Sequence, residues 1–132
     1  MIKLDLGGDI SFLPEHVSVD IHEKNLAKIA ATFTLLLINK DEQAVFTNNS
    51  RSVAITHGGK KSSSAEKQGE VFRYRPDERM LKTIVGILSD IVLGGKFDAN
   101  HIDFDLQTQT GSFGFTLRFD ERFYEVRLPW ER

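Results

Sequence analysis

The last third of the chain alternates apolar and polar residues with a period of two. Ile102, Phe104 and Leu106 share one parity, and His101, Asp103, Asp105 and Gln107 share the other. After Thr108-Gln109-Thr110-Gly111 the apolar set is Phe113, Phe115, Leu117 and Phe119; after Asp120-Glu121 it is Tyr124, Val126 and Leu128. Successive strand residues point to opposite faces, so three such runs predict an antiparallel meander with one dry face. Pairing Gln107 with Ser112 sets Asp105 opposite Gly114, Asp103 opposite Thr116 and His101 opposite Arg118. Pairing Phe119 with Arg122 sets Leu117 opposite Tyr124, Phe115 opposite Val126 and Phe113 opposite Leu128. The wet face then carries His101, Asp103, Asp105, Gly114, Thr116, Arg118, Phe123, Glu125 and Arg127. Gly114 leaves a gap there, flanked by Asp105 and Arg127, and glycine inside a strand often marks a close approach by another group.

A different period runs through Arg75–Lys96. Met80, Leu81, Ile84, Val85, Leu88, Ile91 and Val92 recur at three-and-four spacing, which predicts an amphipathic helix over about residues 76–94. Pro76 suits its first turn, Asp77 and Glu78 suit the positive end of its dipole, and Gly94-Gly95 suits its close. Gly86 costs it about 1 kcal/mol relative to alanine. This is the one main helix expected, packed as a core element on a sheet.

Elsewhere the alternation favours strands: Met1–Leu6, Ile10–Leu13, Val17–His22, Gln43–Thr47, Ser52–His57 and Glu70–Arg75. Leu26–Ile38 could form a helical turn in its front half, residues 26–31, but its back half is β-branched and aromatic, and the whole predicts a long strand buried on both faces near its end. Residues 57–69 are rich in Gly, Ser and Lys and poor in apolar side chains, which predicts a mobile surface loop. The expected fold is α+β. About seven to eight strands form a curved, mostly antiparallel sheet packed on the helix, in a single domain spanning 1–132.

Composition narrows the chemistry. The chain has no cysteine, so it holds no disulfide framework and no cysteine metal site. A net charge of −2 argues against a broad nucleic-acid surface. The short basic-aromatic run Arg73-Tyr74-Arg75 is too small to reverse that. The longest apolar run, Leu35–Ile38, cannot span a bilayer, and no signal peptide is expected at Met1–Asp5, so a cytoplasmic location is expected. Gly58-Gly59-Lys60-Lys61-Ser62 lacks phosphate-loop spacing. His101, Asp103, Asp105 and Glu125 are the residue types of a metal or acid–base cluster. Three of them are strung along one open strand at steps of about 7 Å, with nothing to exclude water. No catalytic residue, no metal ligand and no cofactor is expected, and the protein is not expected to be an enzyme.

These features suit a small protein-binding module. In type it is similar to bacterial immunity proteins, which neutralise a toxin by occluding its active site, although no motif is matched residue by residue. On that reading Asp103, Asp105, Asp120, Glu121 and Glu125 meet a basic cleft on the partner, with Phe123 or Trp130 as an anchor. Two alternatives stand beside it. One is a structural or assembly subunit that self-associates. The other is a ligand-binding protein or enzyme with a cavity between helix and sheet.

Overall fold

Two helices and two mixed β-sheets share one core in a computed structural model that describes residues 1–108 and 111–126. The strands are β1 (Ile2–Asp5), β2 (Ile10–Leu13), β3 (His16–Ile21), β4 (Gln43–Asn48), β5 (Arg51–Thr56), β6 (Ser64–Gln68), β7 (Val71–Arg75), β8 (His101–Thr108) and β9 (Gly111–Phe119). The helices are α1 (Leu26–Ile38) and α2 (Glu78–Val92). The first sheet has the order β1-β4-β5-β7-β6, and the second β2-β3-β9-β8. Each mixes parallel and antiparallel pairs, so the single, mostly antiparallel sheet on one helix is corrected to two mixed sheets and two helices.

Leu26–Ile38 is a helix and not a strand. Leu26, Ile29, Ala30, Phe33 and Leu36 fall at three-and-four spacing and are all buried. Burial of that stripe outweighs the strand preference of the β-branched residues. The hydroxyls of Thr32 and Thr34 donate to the carbonyls of Lys28 and Ala30, at 2.7 and 2.8 Å, one turn earlier.

The first predicted hairpin forms in the register expected, from Gln107↔Ser112 to His101↔Arg118. The second does not. Residues Glu121–Phe123 make a 3-10 turn, and Tyr124 bridges Phe97 instead of Leu117. The place beside β9 is taken by β3, with Val17, Val19 and Ile21 in parallel register with Phe115, Leu117 and Phe119. Asp120-Glu121 is a poor two-residue hairpin turn, and β3 offers the same apolar parity from the other end of the chain. Arg127, Leu128 and Trp130 lie outside the described residues. The stretch read as a loop at 57–69 contains β6, paired antiparallel with β7.

Aromatic side chains join the layers. Tyr74 of β7 stacks on Phe115 of β9 at 4.9 Å, and Phe72 lies 5.7 Å from Phe113 and 5.8 Å from Phe12. Phe33 of α1 meets Phe46 and Phe115 edge-on, at 6.0 and 6.4 Å. Such pairs contribute about 0.5–1.5 kcal/mol each beyond area burial. Helix α2 buries Leu81, Ile84, Leu88 and Ile91, and the Asp77 carboxylate caps it by accepting from the Met80 N–H at 2.8 Å. Burial, and then the charge of Asp77, raise the pKa of the Tyr74 phenol well above its ordinary value. Among the described residues, no helix is long and apolar enough to cross a membrane.

Candidate partner-binding face

The second sheet turns one face to the core and the other outward. Its register lays the outward residues in rows. Leu13, His16, Gly114 and Asp105 form one, Ser11, Ser18, Thr116 and Asp103 the next, and Asp20, Arg118 and His101 the third. Alternation along β8 and β9 buries Phe104, Phe113, Phe115 and Leu117 behind this face and leaves Asp103 and Asp105 in front of it.

Gly114 is approached closely, but by the chain's own His16. A Cβ built there would lie 2.3 Å from His16 Nδ1, 2.8 Å from its Cε1 and 3.0 Å from Asp105 Oδ1. The imidazole therefore rests on the bare backbone of β9. Its other nitrogen, Nε2, is 2.8 Å from Thr116 Oγ1, whose hydroxyl donates to Asp103 Oδ1. With that hydroxyl proton committed to Asp103, Nε2 carries the hydrogen between His16 and Thr116. Asp103 Oδ2 is also 3.4 Å from His101 Nε2. A polar chain thus links β3, β9 and β8. Beside it opens a cleft of about 540 Å³ lined by Leu13, Pro14, Glu15, His16, Asp105 and Gly114, among others.

The face is acidic among the described residues. Glu15, Asp20, Asp103 and Asp105 stand against Arg118, which reaches Asp20 only at 3.9 Å. Both side chains of that pair are more than half exposed, so it contributes less than about 1 kcal/mol. Asp105 makes no ion pair among the described residues. No group of three or more His, Asp or Glu side chains among them is placed to hold a metal ion.

The other predicted partner-binding residues sit apart. Asp120 follows β9 and donates its N–H to Ile21 O at 2.9 Å. Glu121 is exposed in the 3-10 turn, beside Arg122, which pairs with Glu23. Phe123 is half-buried against the core, and Glu125 donates its N–H to Phe97 O at 2.8 Å. The structure therefore joins Asp103 and Asp105 to His16, Asp20 and Glu15, and sets Asp120, Glu121, Phe123 and Glu125 around the far end of β9. Sequence reasoning missed the β3 residues because it gave their place to the C-terminal run. The parity of Val17, Val19 and Ile21 already put His16, Ser18 and Asp20 on one face.

Arg73 and Arg75 do not frame an exposed ring, because Tyr74 between them is buried in the core. His22 pairs with Asp9 at 2.9 Å beside the buried Asn25, where β3 leads into α1. Comparison with known protein families finds no matching family model, and comparison with curated proteins finds no match.

Proposed function

We propose that the protein is a binding module for another protein, and that the outward face of β3, β9 and β8 is its docking surface. In its sharper form the reading is of a cytoplasmic immunity protein that neutralises a bacterial toxin by covering a basic active-site cleft. The observation that supports it is the register that gathers Asp20, Asp103 and Asp105 on one open face, with Glu15 lining the cleft beside them and Arg118 as the only described countercharge there. Complementary charge speeds encounter and rejects wrong partners, which is what a neutralising protein needs. The test is calorimetric titration of the partner that co-purifies in stoichiometric amount. Asp103→Lys with Asp105→Lys should leave the circular dichroism spectrum unchanged and weaken binding by about thirtyfold. Unchanged affinity removes this face from the reading.

A second reading, self-association, is favoured by α1. Lys28 is its only charged residue, and Ala27, Ala31, Leu35 and Ile38 form an exposed stripe, with Ile38 72% accessible. Light scattering after size exclusion decides it. A dimer that Ile38→Lys dissociates supports assembly through α1, and a monomer at all concentrations removes it.

A further inference from the structure

Each sheet ends in two terminal strands, and three of the four are short or guarded. β1 has four residues and carries Lys3. The outer carbonyls of β2 are capped, Ile10 O by Asn48 Nδ2 at 3.0 Å and Phe12 O by an Arg51 guanidinium nitrogen at 2.8 Å. β6 has five residues with Lys67 among them. β8 differs. It runs for eight residues with no Lys, Arg or Pro, and its ladder pairs it only with β9. Among the described residues, no other strand bonds to its main chain between His101 and Gln107, although β6 lies close beside its Gln107 end across a cleft that Ser64–Gln68 share with Gln107 and Thr108. A long edge of this kind is a template for another strand.

The side chains on that edge decide what it takes. In an antiparallel pair of two β8 strands centred on Phe104, Asp103 of one copy faces Asp105 of the other. Like charges placed directly opposite are unfavourable, so a second copy is disfavoured in that register. An extended segment with Lys or Arg at alternate positions reverses that term. Its cations recur at the same spacing of about 7 Å as Asp103 and Asp105.

We infer that the free edge of β8, from His101 to Gln107, accepts an extended basic segment of a partner protein as an added strand, with Lys or Arg opposite Asp103 and Asp105. This rests on the docking face proposed above and specifies its mode of recognition. Main-chain hydrogen bonds supply affinity, and the two carboxylates supply selectivity.

The test uses the intact protein and acetylated, amidated peptides of about seven residues. One alternates lysine with threonine, one has glutamate for lysine, and one is the lysine peptide with alternate amides N-methylated. Binding is read by amide exchange and chemical-shift titration. The lysine peptide should slow exchange within His101–Gln107, and the glutamate peptide should not bind. N-methylation should weaken binding about tenfold or more, as should Asp103→Lys with Asp105→Lys. Equal binding of the N-methylated peptide overturns strand addition and leaves the acidic docking face standing. So does failure of the lysine peptide while the natural partner still depends on Asp103 and Asp105. A natural partner indifferent to both carboxylates overturns the docking face itself.

Discussion

Replacing Gly114 by alanine tests the contact on which the polar face is built. In an ordinary strand the change is favourable by about 0.5–1 kcal/mol, because alanine loses less backbone freedom on folding. Here the new methyl group would lie 2.3 Å from His16 Nδ1, closer than any real contact, so the imidazole must swing away. That breaks its 2.8 Å hydrogen bond to Thr116, at a cost of about 0.5–1.5 kcal/mol. The two effects nearly cancel, and Gly114→Ala alone should change stability by between about 0.5 kcal/mol in the favourable and about 1 kcal/mol in the unfavourable direction. In a His16→Ala background the obstacle is gone. Only the movable Asp105 carboxylate remains within about 3 Å, and the same substitution should stabilise by about 0.5–1 kcal/mol. Urea unfolding of the four proteins should therefore give a coupling energy of about 1 kcal/mol between positions 16 and 114. A coupling near zero, with Gly114→Ala equally stabilising in both backgrounds, would refute the stacking of His16 on β9.

Gly86 is exposed on α2 and a Cβ there meets nothing within 4 Å, so Gly86→Ala should add about 1 kcal/mol and raise the melting temperature by about 3–4 °C by calorimetry. Asp77→Ala removes the cap on Met80 N–H and should cost about 1 kcal/mol in urea unfolding. Leu88→Ala empties a fully buried site and should cost about 2–5 kcal/mol in the same assay. The Tyr74 phenol has its pKa raised in the folded protein, so its contribution to stability is complete below its ordinary value of 10.0. As pH rises above that value, the unfolded chain loses this proton first and the contribution declines until the folded phenol ionises too. Unfolding followed against alkaline pH should show the decline, and Tyr74→Phe should remove Tyr74's share of it.

The parts legible from sequence were those whose signal is local. The 3.6-residue period of α2 and the two-residue period of β8 and β9 each state which residues share a face, and both elements form as read. The β8–β9 register followed from a short turn and matched parity. Parity alone does not name a strand's neighbour, however. Val17-Val19-Ile21 and Tyr124-Val126-Leu128 offer β9 equivalent apolar edges, and only the three-dimensional packing chooses between them. Helix α1 was obscured for a related reason. Being apolar on nearly every side, it lacks the polar stripe that exposes a helical period, and its β-branched residues argue for a strand. The acidic face was therefore half visible: Asp103 and Asp105 could be placed, whereas His16, Asp20 and Glu15 waited on the parallel pairing of β3 with β9.

Partner binding on the outward face of β3, β9 and β8, as proposed, has a direct readout in solution. Hydrogen–deuterium exchange of the protein, free and in complex with its co-purified partner, addresses it most directly. Docking on this face should slow exchange in His101–Gln107 and His16–Asp20 and leave α1 unchanged. Protection confined to α1, with β8 exchanging as in the free protein, would contradict it.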